Sequence, residues 1–151
     1  MRVFGLFPLL ACLAACSGDD SAAIKGRWVA IPDTAMSLEV PDGVTVIGRR
    51  EPPNATVFEF SSGSQVILKL YVGLAPSFHP AENEADIETE TVSGRPARTR
   101  IVHTAAGWSR DMLLEAPEHR FYQFSYRDLR TPEILLADHI IGSLRDGVAA
   151  K

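Results

Sequence analysis

From Arg27 to Val72 the chain is a series of short apolar or β-branched runs, each closed by turn formers. The runs lie at 27–31, 36–40, 44–49, 56–61 and 65–72. Between them stand Pro32-Asp33, Pro41-Asp42-Gly43, Pro52-Pro53-Asn54 and Ser62-Gly63, which supply the backbone angles of tight turns and punctuate strands rather than helices. An antiparallel sheet is the expected product. In the last run Val66, Leu68, Leu70 and Val72 are expected on one face, with Gln65, Ile67, Lys69 and Tyr71 on a partly covered opposite face.

The second half extends this pattern and closes it with a helix. Residues 73–84 carry Pro76 and Pro80 without periodicity and read as a loop. Runs at 87–92 and 95–103 predict a hairpin around Ser93-Gly94, and 107–115 with 120–126 predict another around Ala116-Pro117-Glu118. Tyr122, Phe124 and Tyr126 share one face of the final strand, with Phe121 on the other. Thr131 is placed to cap a helix, Pro132 suits its first position, and Glu133 complements the positive end of its dipole. Ile134, Ala137, Ile141 and Leu144 recur at helical spacing, Leu135 and Ile140 widen the stripe, and Gly147 can stop it. The expected fold is α+β: an antiparallel sheet of six or more strands, packed against a C-terminal helix over 132–145. Leu68, Leu70, Phe124, Ile134 and Ile141 are expected in its core. A length of 151 residues, 46% apolar and 23% charged, fits one such domain.

The N-terminus reads as an address. Arg2 precedes an apolar stretch from Val3 to Ala15, too short to span a bilayer and laid out as a secretory signal. It ends in Leu13-Ala14-Ala15-Cys16, which resembles the lipobox of bacterial lipoproteins. That resemblance implies a diacylglyceryl group on the Cys16 thiol, cleavage just before it, and acylation of the new amino group. A competing box ending at Cys12 has the bulkier Leu10 at its second position and leaves a short apolar region. The domains expected are therefore a signal peptide over 1–15, a flexible polar tether over 16–23 and a single body over 24–147. Ser17 directly follows the cysteine, where the enterobacterial sorting pattern places aspartate for inner-membrane retention; the expected location is the periplasmic side of the outer membrane. Both cysteines precede the body, so it holds no internal disulfide.

The body also resembles a fold family. Pro41-Asp42-Gly43, then Tyr71-Val72-Gly73-Leu74-Ala75-Pro76 and Val92-Ser93-Gly94-Arg95-Pro96-Ala97, then a tyrosine-rich strand and Ala137-Asp138-His139-Ile140-Ile141-Gly142-Ser143-Leu144, are similar to small bacterial envelope proteins of the PsbP-like (Mog/PsbP) fold. The resemblance spans about residues 30–145 and implies an antiparallel sheet packed between helices. It brings no catalytic motif. Some lipoproteins of that fold are immunity proteins against secreted cell-wall hydrolases; others are accessory proteins.

Motifs for chemistry are missing from the chain. It has no Gly-x-Ser-x-Gly elbow, no His-Glu-x-x-His pair, no phosphate-cradling glycine loop and no calcium-loop spacing. His79, His103, His119 and His139 stand too far apart to form a ligand pair in sequence, and no metal or cofactor is expected. A net charge of −4, one unit more negative once Arg2 is removed, argues against nucleic acid as a partner. Glu82, Glu84, Asp86, Glu88 and Glu90 precede the first hairpin turn, and Arg95, Arg98 and Arg100 follow it. That pattern suits either a self-neutralising hairpin or a charged partner surface. Trp108 shares a strand face with Arg110, Met112 and Leu114 and is expected in the core. Phe78 and His79, in an irregular loop, are the expected exposed contact residues, with Glu82 and Glu84 as an acidic rim. The function expected is non-catalytic binding of an envelope protein, a secreted toxin or a cell-wall component. The rival classes are a small hydrolase using carboxylates with His79 or His103, and a purely structural lipoprotein.

Overall fold

The computed structural model describes residues 24–32, 34–80, 85–116 and 119–147. The signal segment, Cys16 and the whole tether lie outside these, as do Glu82 and Glu84. Among the described residues ten strands and one helix follow in the order β1 (Gly26–Ala30), β2 (Met36–Pro41), β3 (Val44–Glu51), β4 (Ala55–Ser62), β5 (Gln65–Gly73), β6 (Glu88–Val92), β7 (Arg95–His103), β8 (Trp108–Glu115), β9 (Phe121–Leu129), α1 (Thr131–Gly142) and β10 (Arg145–Asp146). Seven strands form one antiparallel sheet in the order β3-β4-β5-β9-β8-β7-β6, and β1-β2-β10 form a second.

The hairpins sit where the turn residues put them. Ser93 and Gly94 both adopt positive φ and join the paired Val92 and Arg95, the two-residue turn whose twist matches that of paired strands. On the inner face of the large sheet, Phe58 and Phe60 of β4, Leu68, Leu70 and Val72 of β5, Tyr122, Phe124 and Tyr126 of β9, and Met112 and Leu114 of β8 are all buried. Met36, Leu38 and Val40 of β2 and Ala137, Ile140 and Ile141 of α1 complete the same core, so the small sheet and the helix together cover that face.

Four local expectations need correction. Val66 is 39% exposed while Ile67 is fully buried. The cause is a bulge: Phe60 pairs with Leu68 and Ser61 with Val66, which leaves Ile67 without an opposite residue and turns it inward. The helix is capped at Arg130 without a side-chain hydrogen bond, and Thr131 is its first residue rather than its cap. It also stops at Gly142, before Gly147. There the Ser143 hydroxyl donates to the Ile140 carbonyl at 2.7 Å and accepts from the Glu39 amide at 2.8 Å, and the chain leaves to pair as β10 with Ser37 and Met36. Finally, Ile134 is only partly buried and Leu135 is 60% exposed. At 100° per residue Leu135 points about 170° from the mean direction of Ala137, Ile140 and Ile141, so it faces solvent.

Candidate functional site

The loop after β5 crosses the outer face of the large sheet. Gln123 of β9 holds it there: its Oε1 accepts the Ser77 amide at 2.8 Å and the Phe78 amide at 3.1 Å, and its Nε2 donates to the Ser77 hydroxyl at 3.0 Å. These bonds satisfy backbone donors that the loop would otherwise bury unpaired. Phe78 is thereby turned into the sheet. It is 6% exposed with the Arg100 guanidinium 5.4 Å above its ring, so it is a plug between loop and sheet and not the exposed contact its sequence position suggested. His79, the next residue, is exposed. Arg98 fixes the end of this stretch by donating to the Pro80 carbonyl at 2.6 Å.

Beyond the plug the loop and sheet enclose a groove of about 690 Å³. Pro80, Pro96, Leu113, Ala116 and Phe121 give it apolar walls, and His79, Arg95, Arg98 and Glu115 stand at its polar margins. That volume and that mixture of apolar surface with a few polar groups are typical of ligand sites. A smaller, more polar cavity of about 310 Å³ lies by Arg50, Pro53 and Arg120. Leu113 and Phe121 alternate with the buried Leu114 and Tyr122, and this alternation brings them to the outer face. All the sheet residues of the groove belong to the end where β6 turns into β7 and β8 into β9.

Among the described residues the first hairpin neutralises itself in part, through Arg100 and Asp86. Glu88 faces Thr99 and Glu90 faces Ala97, so the acidic strand does not meet the basic one in register. Arg100 pairs with Asp86 at 2.9 Å and Arg95 with Asp146 at 2.8 Å. Glu90 reaches under β7 to Arg110 of β8. The buried Arg110 guanidinium donates to Glu90, to Asp138 of α1 at 2.9 Å and to the Thr99 hydroxyl at 3.2 Å. Burial works against its charge, but the hydrogen bond and charge of Glu90 and the charge of Asp138 outweigh that and hold it more firmly protonated than usual. One guanidinium shared by two carboxylates leaves the weaker partner short: burial raises the Asp138 carboxyl above its ordinary range despite Arg110. Burial raises the Tyr126 hydroxyl as well, with the Asp138 charge adding to it. This cluster clamps the helix to the β6–β8 half of the sheet. Each guanidinium nitrogen already donates to a protein acceptor, which gives the cluster a structural role.

Trp108 is not in the core. It is 42% exposed and its ring lies 4.3 Å from that of His103 across the hairpin. The inner-face cover ends at Arg110, and Trp108 stands one step beyond it at the end of the strand. Gly107 makes this corner possible. A Cβ there would lie 2.6 Å from the Leu129 carbonyl oxygen, at a φ of +149°.

Among the described residues no three His, Cys, Asp or Glu side chains gather as a metal site, and no helix is long and apolar enough to cross a membrane. The four histidines belong to separate surroundings: His79 at the groove, His103 against Trp108, His119 in the β8–β9 connection and His139 beside Glu39 at 3.2 Å. In comparison with known proteins, no family and no curated protein matches the sequence.

Proposed function

We propose that this chain is a lipid-anchored protein of the bacterial envelope, acylated at Cys16 on the periplasmic side of the outer membrane, that acts by binding a protein or cell-wall partner without catalysis. The PsbP-like resemblance of its body belongs to the same reading, and an immunity or accessory role follows from it. The observation that carries the binding function is the groove: apolar walls formed by Leu113 and Phe121 on a rigid sheet, open at the margin where His79 is exposed. Sites held on strands keep their shape without a partner, which lowers the cost of ordering on binding.

Two outcomes test this. Globomycin, or Cys16→Ala, should block processing and leave the chain uncleaved and released or misplaced; normal processing under either would end the lipoprotein reading. For the groove, Leu113→Asp combined with His79→Ala should abolish recovery of the partner from envelope extract or sedimented cell wall. Leu113 is only half-buried, so the melting temperature should hold. Turnover of a peptidoglycan or ester substrate that vanishes on changing His79 or Glu115 would make the protein an enzyme instead.

A further inference from the structure

The chain enters its fold at one particular end of the large sheet. The Lys25 carbonyl accepts the Asp42 amide at 2.8 Å, and Arg27 donates to the Val44 carbonyl at 3.2 Å. Ile24 therefore stands beside the start of β3. Val44 pairs with Ser62, so this is the end where β4 turns into β5, and the register carries it across to Leu129, Trp108 and His103. The groove occupies the opposite end.

Exposed apolar side chains collect at the entry end. Val66, second in β5, is 39% exposed, Val102, last but one in β7, 43%, and Trp108, which opens β8, 42%. Ile24 and Ile101 are exposed beside them. From β5 to β7 is three strand spacings, about 14 Å; Val66 and Val102 point to the outer face and Ile101 and Trp108 to the inner one, so these groups stand on both sides of one end of the sheet. The His103 ring holds the indole of Trp108 in place. An indole with neighbouring valines suits the headgroup region of a bilayer, where an apolar body and one polar N–H are both satisfied.

The covalent distance selects the occupant. Cys16 stands eight positions before Ile24, at most about 28 Å of extended chain. We propose that this end of the sheet, with Val66, Val102 and Trp108, is a membrane-facing surface that rests in the headgroup layer of the bilayer holding Cys16. The proposal relies on acylation at that residue. The charged groups nearby, Lys25, Arg27 and Arg130 against Asp42 and Asp128, leave one net positive charge, too little for docking to depend on anionic lipid. In this pose the groove points away from the membrane.

The test uses the full chain with Trp28→Phe, which keeps a ring under the Arg145 guanidinium and leaves Trp108 as the sole tryptophan. Mass spectrometry first reads the acyl groups on Cys16. The acylated protein is then reconstituted in phosphatidylcholine vesicles with brominated or ordinary acyl chains. Trp108 should shift to the blue and lose most of its emission to the brominated lipid. In a companion chain with Trp28→Phe, Trp108→Phe and Leu74→Trp, the sole indole sits at the groove end and should keep its emission. Acylated protein with an unquenched Trp108 overturns the membrane-facing surface and leaves the anchor standing. Equal quenching at both ends also overturns it, as does a blue shift that appears only with protein concentration, which would assign these exposed groups to a second copy. Missing acyl mass on Cys16 removes the anchor and this surface together.

Discussion

Replacing Arg110 by methionine should destabilise the protein by about 2–3 kcal/mol, somewhat below the roughly 3–5 kcal/mol lost when one partner of a fully buried ion pair is removed. Methionine fills much of the arginine volume, so the loss reports charge more than cavity. Without the guanidinium, Glu90 and Asp138 face one another as like charges and the Thr99 hydroxyl loses a donor. Both carboxylates keep some water contact, which is why the lower figure applies. The loss should also depend on pH. The Asp138 carboxyl, already raised by burial, is harder still to ionise once Arg110 is gone, and a raised carboxyl contributes stability below its unfolded range that disappears as pH rises through the folded one. The gap to the parent should therefore be widest near neutrality and narrow in mild acid. Urea midpoints of both proteins at the two conditions measure this. A gap that stays constant with pH would mean that packing around Arg110, not its charge, holds the helix.

Much of the architecture is legible as alternation and punctuation. The inward run of Tyr122, Phe124 and Tyr126, the Ser93-Gly94 turn and the existence of the helix each depend on residues close together in sequence. What escapes is set by partners far away. Ile67 turns inward because of how β4 pairs with β5, which nothing within β5 announces. Phe78 is drawn under the loop by Gln123, 45 positions later, and a polar residue between Tyr122 and Phe124 looks like any solvent-facing strand position. Arg110 has its acceptors 20 positions before it and 28 after. A charged residue on the same face as Met112 and Leu114 is the one signal that buried pairing was required, since an unpaired guanidinium in that core would be prohibitive. The same ignorance of tertiary cover places Trp108 inside: the face it belongs to is buried, but the cover ends a step short of it. Of the groove, His79 is legible as a loop residue, whereas Leu113 and Phe121 read as ordinary outward strand positions.

Phe124→Ala should be among the most damaging truncations of the described core. Phe124 lies on β9, paired with Leu70 of β5 on one side and Met112 of β8 on the other, and all three are fully buried. Ala137 and Ile141 of α1 belong to the same core. Removing the ring strips apolar contact and leaves a void that two neighbouring strands, fixed by their own ladders, cannot close. Loss of about 3–5 kcal/mol is expected for such a site, which is a large share of the roughly 5–15 kcal/mol that holds a domain together. Leu135→Ala provides the contrast. Leu135 belongs to the apolar spacing of the helix, yet it faces solvent, and its removal should change stability by no more than about 0.5 kcal/mol. Thermal or urea unfolding of the two variants measures the difference directly. If Leu135→Ala costs as much as Phe124→Ala, the helix buries a different face from the one described, and the Arg110 clamp that depends on Asp138 flanking that face is wrong with it.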